Sequence, residues 1–201
     1  MMLGFLLARA GVEVLLLEKH ADFFRDFRGD TLHPSSLEVM HELGLLDDFL
    51  RLPHTKLREA RGVVGEEMFT LADFSRLPVR CKFIAMIPQW DFLNFLAEHG
   101  RRYPKFRLRM QADVTDLVRE GNRIAGVRAT TPSGELEARA QLVVGADGRH
   151  STVRERAGLE VLEFGVPIDV FWFAVPKTTA GNALRGSVRG YRLIVLIDRG
   201  D

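Results

Sequence analysis

Leu142-Val143-Val144-Gly145-Ala146-Asp147-Gly148-Arg149-His150-Ser151-Thr152-Val153-Arg154 is the stretch whose reading decides the fold. Its apolar start reads as a strand running into Gly145-Ala146-Asp147-Gly148. The Ser151-Thr152 pair then opens a short helix that ends near Gly158. Glycines at a strand-to-helix turn let the backbone approach a ligand closely. The start of a helix offers free N–H groups and a positive dipole end, both suited to a phosphate. Asp147, between the glycines, is placed where a carboxylate can accept hydrogen bonds from sugar hydroxyls.

Upstream, residues 1–10 have the 3.6-residue period of a helix, with Leu3, Leu6, Leu7 and Ala10 on one face. Gly11 stops it in the position glycine fills at a helix end. Residues 12–17 (Val-Glu-Val-Leu-Leu-Leu) form a strand that is mostly apolar on both faces, as buried parallel strands are, with Glu18 and Lys19 at its carboxyl end. Pro34 starts a helix whose buried stripe is Leu37, Met40 and Leu43 before Gly44, and a shorter helix covers residues 46–50. Residues 61–87 change pattern: Val63-Val64, Met68-Phe69 and Phe83-Ile84 are short apolar runs suggesting strands of a different sheet. Pro88-Gln89 opens a helix with Phe92, Leu93 and Leu96 inward and Gly100 at its end. Strands follow at 106–111, 114–119 and 123–130, with turns at Gly121-Asn122 and Pro132-Ser133-Gly134, and 135–144 leads back into the Asp-Gly stretch. Further strands are expected at 169–175 and 192–197. Alternating strand, helix and strand with antiparallel pieces inserted later indicates an α/β nucleotide-binding domain threaded by a second sheet domain.

Composition excludes several classes. The chain has 201 residues, 46% of them hydrophobic, and a net charge of +1, which gives no electrostatic case for nucleic acid or a membrane surface. No run has the length needed to span a bilayer. The single cysteine, Cys81, cannot form an intrachain disulfide, and a reducing cytoplasm is the natural setting. Its neighbours Arg80 and Lys82 would favour a thiolate, although a lone cysteine in a strand reads first as a small core residue. The six histidines have no metal-ligand spacing.

Glu18 stands where dinucleotide folds keep an acid for the ribose 2′- and 3′-hydroxyls of an adenosine. Together with Asp147, Gly148, Ser151 and Arg154 it carries a resemblance. The chain resembles the FAD-dependent aromatic hydroxylases of the para-hydroxybenzoate hydroxylase type, in which an apolar strand is followed by Asp-Gly, Ser and Arg in this order. The resemblance implies an FAD-binding Rossmann-like parallel sheet, here incomplete, with an inserted, partly antiparallel substrate domain. It divides the chain into 1–60 with 88–160 as the FAD-binding domain and 61–87 with 161–201 as part of the substrate-binding β domain.

The resemblance also implies which residues hold FAD. These are Glu18 and Lys19 at the strand end, Arg28 toward the phosphates, Gln89 at a helix start, Val114 on the strand that passes the adenine, and Asp147 with Gly148. A guanidinium at 28 can fork two hydrogen bonds onto a phosphate, as lysine cannot. NADH or NADPH is implied as reductant, with O2 and a small aromatic compound as substrates; no catalytic side chain is implied. Two other readings stand: a different FAD-dependent oxidoreductase (a reductase or halogenase), or a non-catalytic remnant unable to bind FAD.

Measured against this pattern, the chain looks truncated at both ends. The opening strand with Gly-x-Gly-x-x-Gly and a late Gly-Asp pair are absent, and Gly4 is not one of the fingerprint glycines. About four or five buried aliphatic side chains of a central strand sum to roughly 10 kcal/mol, comparable with the ~5–15 kcal/mol stability of a whole domain. The 201 residues alone are therefore expected to retain no FAD.

Overall fold

The computed structural model describes residues 1–25, 30–173, 175–176 and 185–196. It forms two compact units, Met1–Phe23 with Leu96–Val170 and Phe24–Phe95 with Phe171–Asp201.

The first unit begins with α1 (Met2–Arg9), which buries Gly4, Phe5 and Ala8. Gly11, at φ +84°, ends it, and Val12 N–H donates to the Leu7 carbonyl at 2.9 Å. β1 (Val14–Leu17) follows. α1 rests closely on this strand: a Cβ on Gly4 would lie 2.7 Å from a Leu16 methyl. Gly4 thus has a packing role although it is no phosphate-turn glycine.

In the second unit, β2 (Thr31–Leu32) precedes α2 (Pro34–Glu42) and α3 (Leu46–Phe49). Pro34 occupies the first turn of α2, where its missing N–H costs nothing. Leu37, Met40 and Phe49 are fully buried. β3 (Thr55–Leu57) and β6 (Ile84–Met86) complete a small antiparallel sheet of order β2-β6-β3, while β4 (Glu59–Val64) and β5 (Glu67–Asp73) form a hairpin in a second sheet. α4 (Gln89–Gly100) follows β6.

β7 (Phe106–Arg109) pairs in parallel with β1, from Val14↔Phe106 to Leu17↔Arg109. The meander of β8 (Asp113–Glu120), β9 (Arg123–Thr131) and β10 (Gly134–Arg139) comes next, and α5 (Thr152–Arg156) follows. Late in the chain, β11 (Arg185–Arg189) and β12 (Arg192–Leu196) join the hairpin sheet, giving the order β12-β11-β4-β5 with β11 parallel to β4. The mixed α/β class, with a short parallel sheet and antiparallel additions, is the one the sequence implies.

Two sequence expectations are corrected, and one strand appears that the sequence did not suggest. Residues 142–144 are not a strand: β10 stops at Arg139, and Leu142 and Val144 are 76% and 55% exposed. A strand exists only through hydrogen bonds to a neighbour, and no described segment pairs with these residues. Residues 169–173 likewise form no strand, with Phe171 82% exposed, and Ala174 lies outside the described residues. β11, which the sequence reading passed over, is a strand because β4 lies beside it. β12 matches the expected strand, apart from Ile197, which lies outside the described residues.

Cys81 is buried, and burial pushes its thiol pKa up, with Glu38 adding to the rise. Lys56 and Arg80 pull the other way and are outweighed. The sulfur is therefore a core thiol, not an activated nucleophile.

Candidate cofactor site

Glu18 lies immediately past β1, and its backbone continues the parallel pairing: Glu18 N–H donates to the Arg109 carbonyl and Ala112 N–H to the Glu18 carbonyl, both at 2.9 Å. These bonds tie the end of β1 to the start of β8, where Val114 sits half-buried opposite Ala129. The Glu18 carboxylate accepts from His20 N–H at 2.9 Å. It also lies within electrostatic reach of the N-terminal end of α1. Burial lowers the Met1 amino pKa there, and Glu18 opposes the shift. An acid at the carboxyl end of a parallel strand, a helix N-terminus and a passing backbone strand therefore come together. In dinucleotide-binding folds this combination receives a ribose and its phosphates. Lys19 is exposed beside it.

The Asp-Gly stretch builds a turn and helix without the strand. Gly148 adopts φ +90°, a conformation that favours glycine, and the space a Cβ would enter is open. Ser151 is the N-cap of α5: its Oγ accepts from Arg154 N–H at 3.0 Å and donates to Asp147 Oδ1 at 2.5 Å. Asp147 Oδ2 accepts from Val153 N–H at 3.1 Å. The Arg154 guanidinium reaches back to the Arg149 carbonyl at 2.6 Å, pinning the loop onto its helix. The Asp147 carboxylate is thus engaged by the first turn of α5, and sequence alone gave no sign of this capping role. Desolvation raises its pKa, but the bonds from Ser151, Val153 and Thr152 outweigh that, and the net shift is downward.

This network sets a pH dependence. A depressed folded-state pKa contributes stability above the ordinary carboxylate range, and that stability is lost as pH falls through the folded value. Amide protection of Val153 and Arg154 is therefore expected to persist at mildly acidic pH and to fall only below the usual carboxylate pKa. Asp147→Asn should remove that acid limb. Ser151→Ala should cost about 1 kcal/mol of local α5 stability through loss of the cap. Hydrogen exchange reads both effects; unchanged protection in Ser151→Ala would refute the capping assignment.

Gln89 is the first residue of α4 and half-buried; it belongs to the other compact unit. Arg28 lies outside the described residues. Glu18, Lys19, Val114, Asp147 and Gly148 all belong to the first unit. Among the described residues no group of side chains could hold a metal ion, and no helix is long and apolar enough to cross a membrane.

Set beside known proteins, residues 1–183 match the family of FAD binding domains, and the chain belongs to that family. It is 35% identical over 161 residues to 6-methylpretetramide 4-monooxygenase of Streptomyces rimosus, covering 78% of this chain and 38% of that protein. The crystal structure of p-nitrophenol 4-monooxygenase PnpA from Pseudomonas putida DLL-E4 superposes with a TM-score of 0.68 at 25% identity, covering 77% of this chain and 40% of that one. The myxobacterial chondrochloren halogenase CndH, an FAD-dependent halogenase, gives 0.67 at 28%, covering 77% and 36%. The chain thus spans about two fifths of the length of these relatives.

Proposed function

We propose that the protein is an FAD-dependent monooxygenase that hydroxylates a small aromatic substrate with O2, using NADH or NADPH as reductant. One observation carries this reading. Glu18 stands at the end of β1 beside the N-terminus of α1, in a chain of the FAD-binding family that also keeps the Asp147-Gly148 turn. The residues present fit parts of the cofactor: an acid for ribose hydroxyls and a glycine turn with open space above it.

Bound FAD would supply the redox and oxygen-transfer chemistry. This chain's residues would bind and orient it. Glu18 would accept from the ribose hydroxyls, with Lys19 at the same end, and Val114 would offer its backbone along the adenine. Gly148 would present its backbone, while Asp147 and Ser151 hold the turn in shape. By resemblance Arg28 would fork onto the phosphates, and Gln89 would reach the flavin from the start of α4. In this reading residues 1–60 and 88–160 form the cofactor domain and 61–87 with 161–201 part of the substrate domain, in a cytoplasmic protein.

The test is flavin absorbance of the purified protein and NADH or NADPH oxidation stimulated by an aromatic compound, with labelled O2 traced into the product. Label in a ring hydroxyl is the expected outcome. A halide-dependent product without the label would favour the halogenase reading, to which the likeness to CndH points. Absence of flavin from the whole protein would favour a non-catalytic remnant. Within that experiment Arg28→Lys is expected to lower FAD affinity by about tenfold, the scale of one forked charge-assisted bond. Arg25→Lys should leave it unchanged. Equal flavin occupancy in the two variants would remove Arg28 from the site.

A further inference from the structure

β7 is an edge strand, paired only with β1 among the described residues. Along it runs a groove of about 570 Å³ lined by Leu15, Arg101, Phe106, Arg107, Leu108, Arg109 and Leu136. The apolar part of the lining comes from both sheets of the first unit, and three arginines rim it. Their charges are unequally compensated. Arg107 pairs with Glu13. Arg109 donates through Nη2 to the hydroxyls of Thr131 at 3.3 Å and Ser133 at 3.1 Å, partners that fix the guanidinium without neutralising it. Arg101 is exposed and makes no ion pair among the described residues. The acids flanking Leu136 are engaged elsewhere: Glu135 accepts from Thr130, and Glu137 from Arg128 and Arg139. One carboxylate thus faces three guanidinium groups over an apolar floor.

We propose that this groove is a binding site for a small organic anion: an apolar body seated on Leu15 and Leu136, which β1 and β10 turn into the groove, with its charged group held by Arg101 and Arg109. The volume is that of a small-molecule site, where a mostly apolar lining carries few polar anchors. Arg109 is the anchor because its neutral partners hold it in place and leave its charge to the ligand. Arg101, also on the lining and without an ion pair among the described residues, supplies the second cation. The site does not depend on the flavin reading, since none of its residues is assigned to the cofactor.

The experiment is a titration of the full chain with naphthalene-2-sulfonate, and with naphthalene-2-sulfonamide as an uncharged probe of the same ring. Binding is read by calorimetry and by NMR shifts of β7 and β10 amides. The sulfonate is expected to bind about tenfold more tightly than the sulfonamide, and the difference should shrink as salt is raised. Arg101→Gln, at an exposed position that folding does not need, should remove most of the preference. Arg123→Gln, at the exposed first residue of β9, should leave it intact. FAD added in equal excess over the sulfonate should leave the sulfonate affinity unchanged. Equal affinity for the two probes, an unaltered preference in Arg101→Gln, shifts confined to other strands, or displacement by FAD would each overturn the proposal.

Discussion

Phe49→Ala is expected to lower the stability of the protein by about 3–5 kcal/mol, the cost of deleting a buried aromatic and leaving a cavity. Phe49 is fully buried at the end of α3, and its ring meets Phe92 and Phe95 of α4 edge-on at 5.8 and 5.7 Å between centroids. Each such pair adds ~0.5–1.5 kcal/mol beyond area burial, which places the loss near the top of the range. α3 has only four residues and no side-chain cap, so it owes its existence to this docking and not to intrinsic propensity. Chemical denaturation reads the effect as a large fall in midpoint. Val39→Ala, on the exposed side of α2, is the matched control and should cost well under ~1 kcal/mol. A small loss in Phe49→Ala would show that α3 does not pack on α4.

Gly126→Ala is the second large effect, at about 3 kcal/mol, the upper range for overpacking. Gly126 pairs with Arg139 between β9 and β10. A Cβ there would lie 2.1 Å from the Ala138 carbonyl oxygen and 2.9 Å from the Arg139 Cα. Both obstacles are backbone, so no side-chain rotation relieves them and the two strands must part. Gly121→Ala is the informative comparison. Gly121 has φ +59° but nothing within 4 Å of its would-be Cβ, so only the left-handed conformation is strained, at ~1–2 kcal/mol. If the two glycines cost the same on thermal unfolding, the close approach at Gly126 would be disproved.

Much of the local structure was legible in the chain itself. The helical period of residues 1–10, Gly11 behind it, Pro34 before Leu37 and Met40, and the turn residues between the meander strands are local signals. The structure forms those elements where they point. The Asp147-Gly148 pair and its Ser151 were legible as a turn opening a helix, because capping is settled within a few residues.

Strand pairing was not legible in the same way. The apolar runs at 142–144 and 169–173 look like strands, yet they join none of the described sheets. Arg185–Arg189, with little apolar pattern, becomes a strand because β4 lies alongside. Composition cannot report such a partner, since it comes from more than a hundred residues away. The same holds within the site. By itself the sequence determined that residue 18 is an acid at a strand end and that residue 147 is an aspartate beside a glycine. Tertiary structure alone decided that Glu18 comes within electrostatic reach of the N-terminal end of α1. It alone made Gly4 and Gly126 packing glycines, because close approach is a property of two segments and is encoded in neither one.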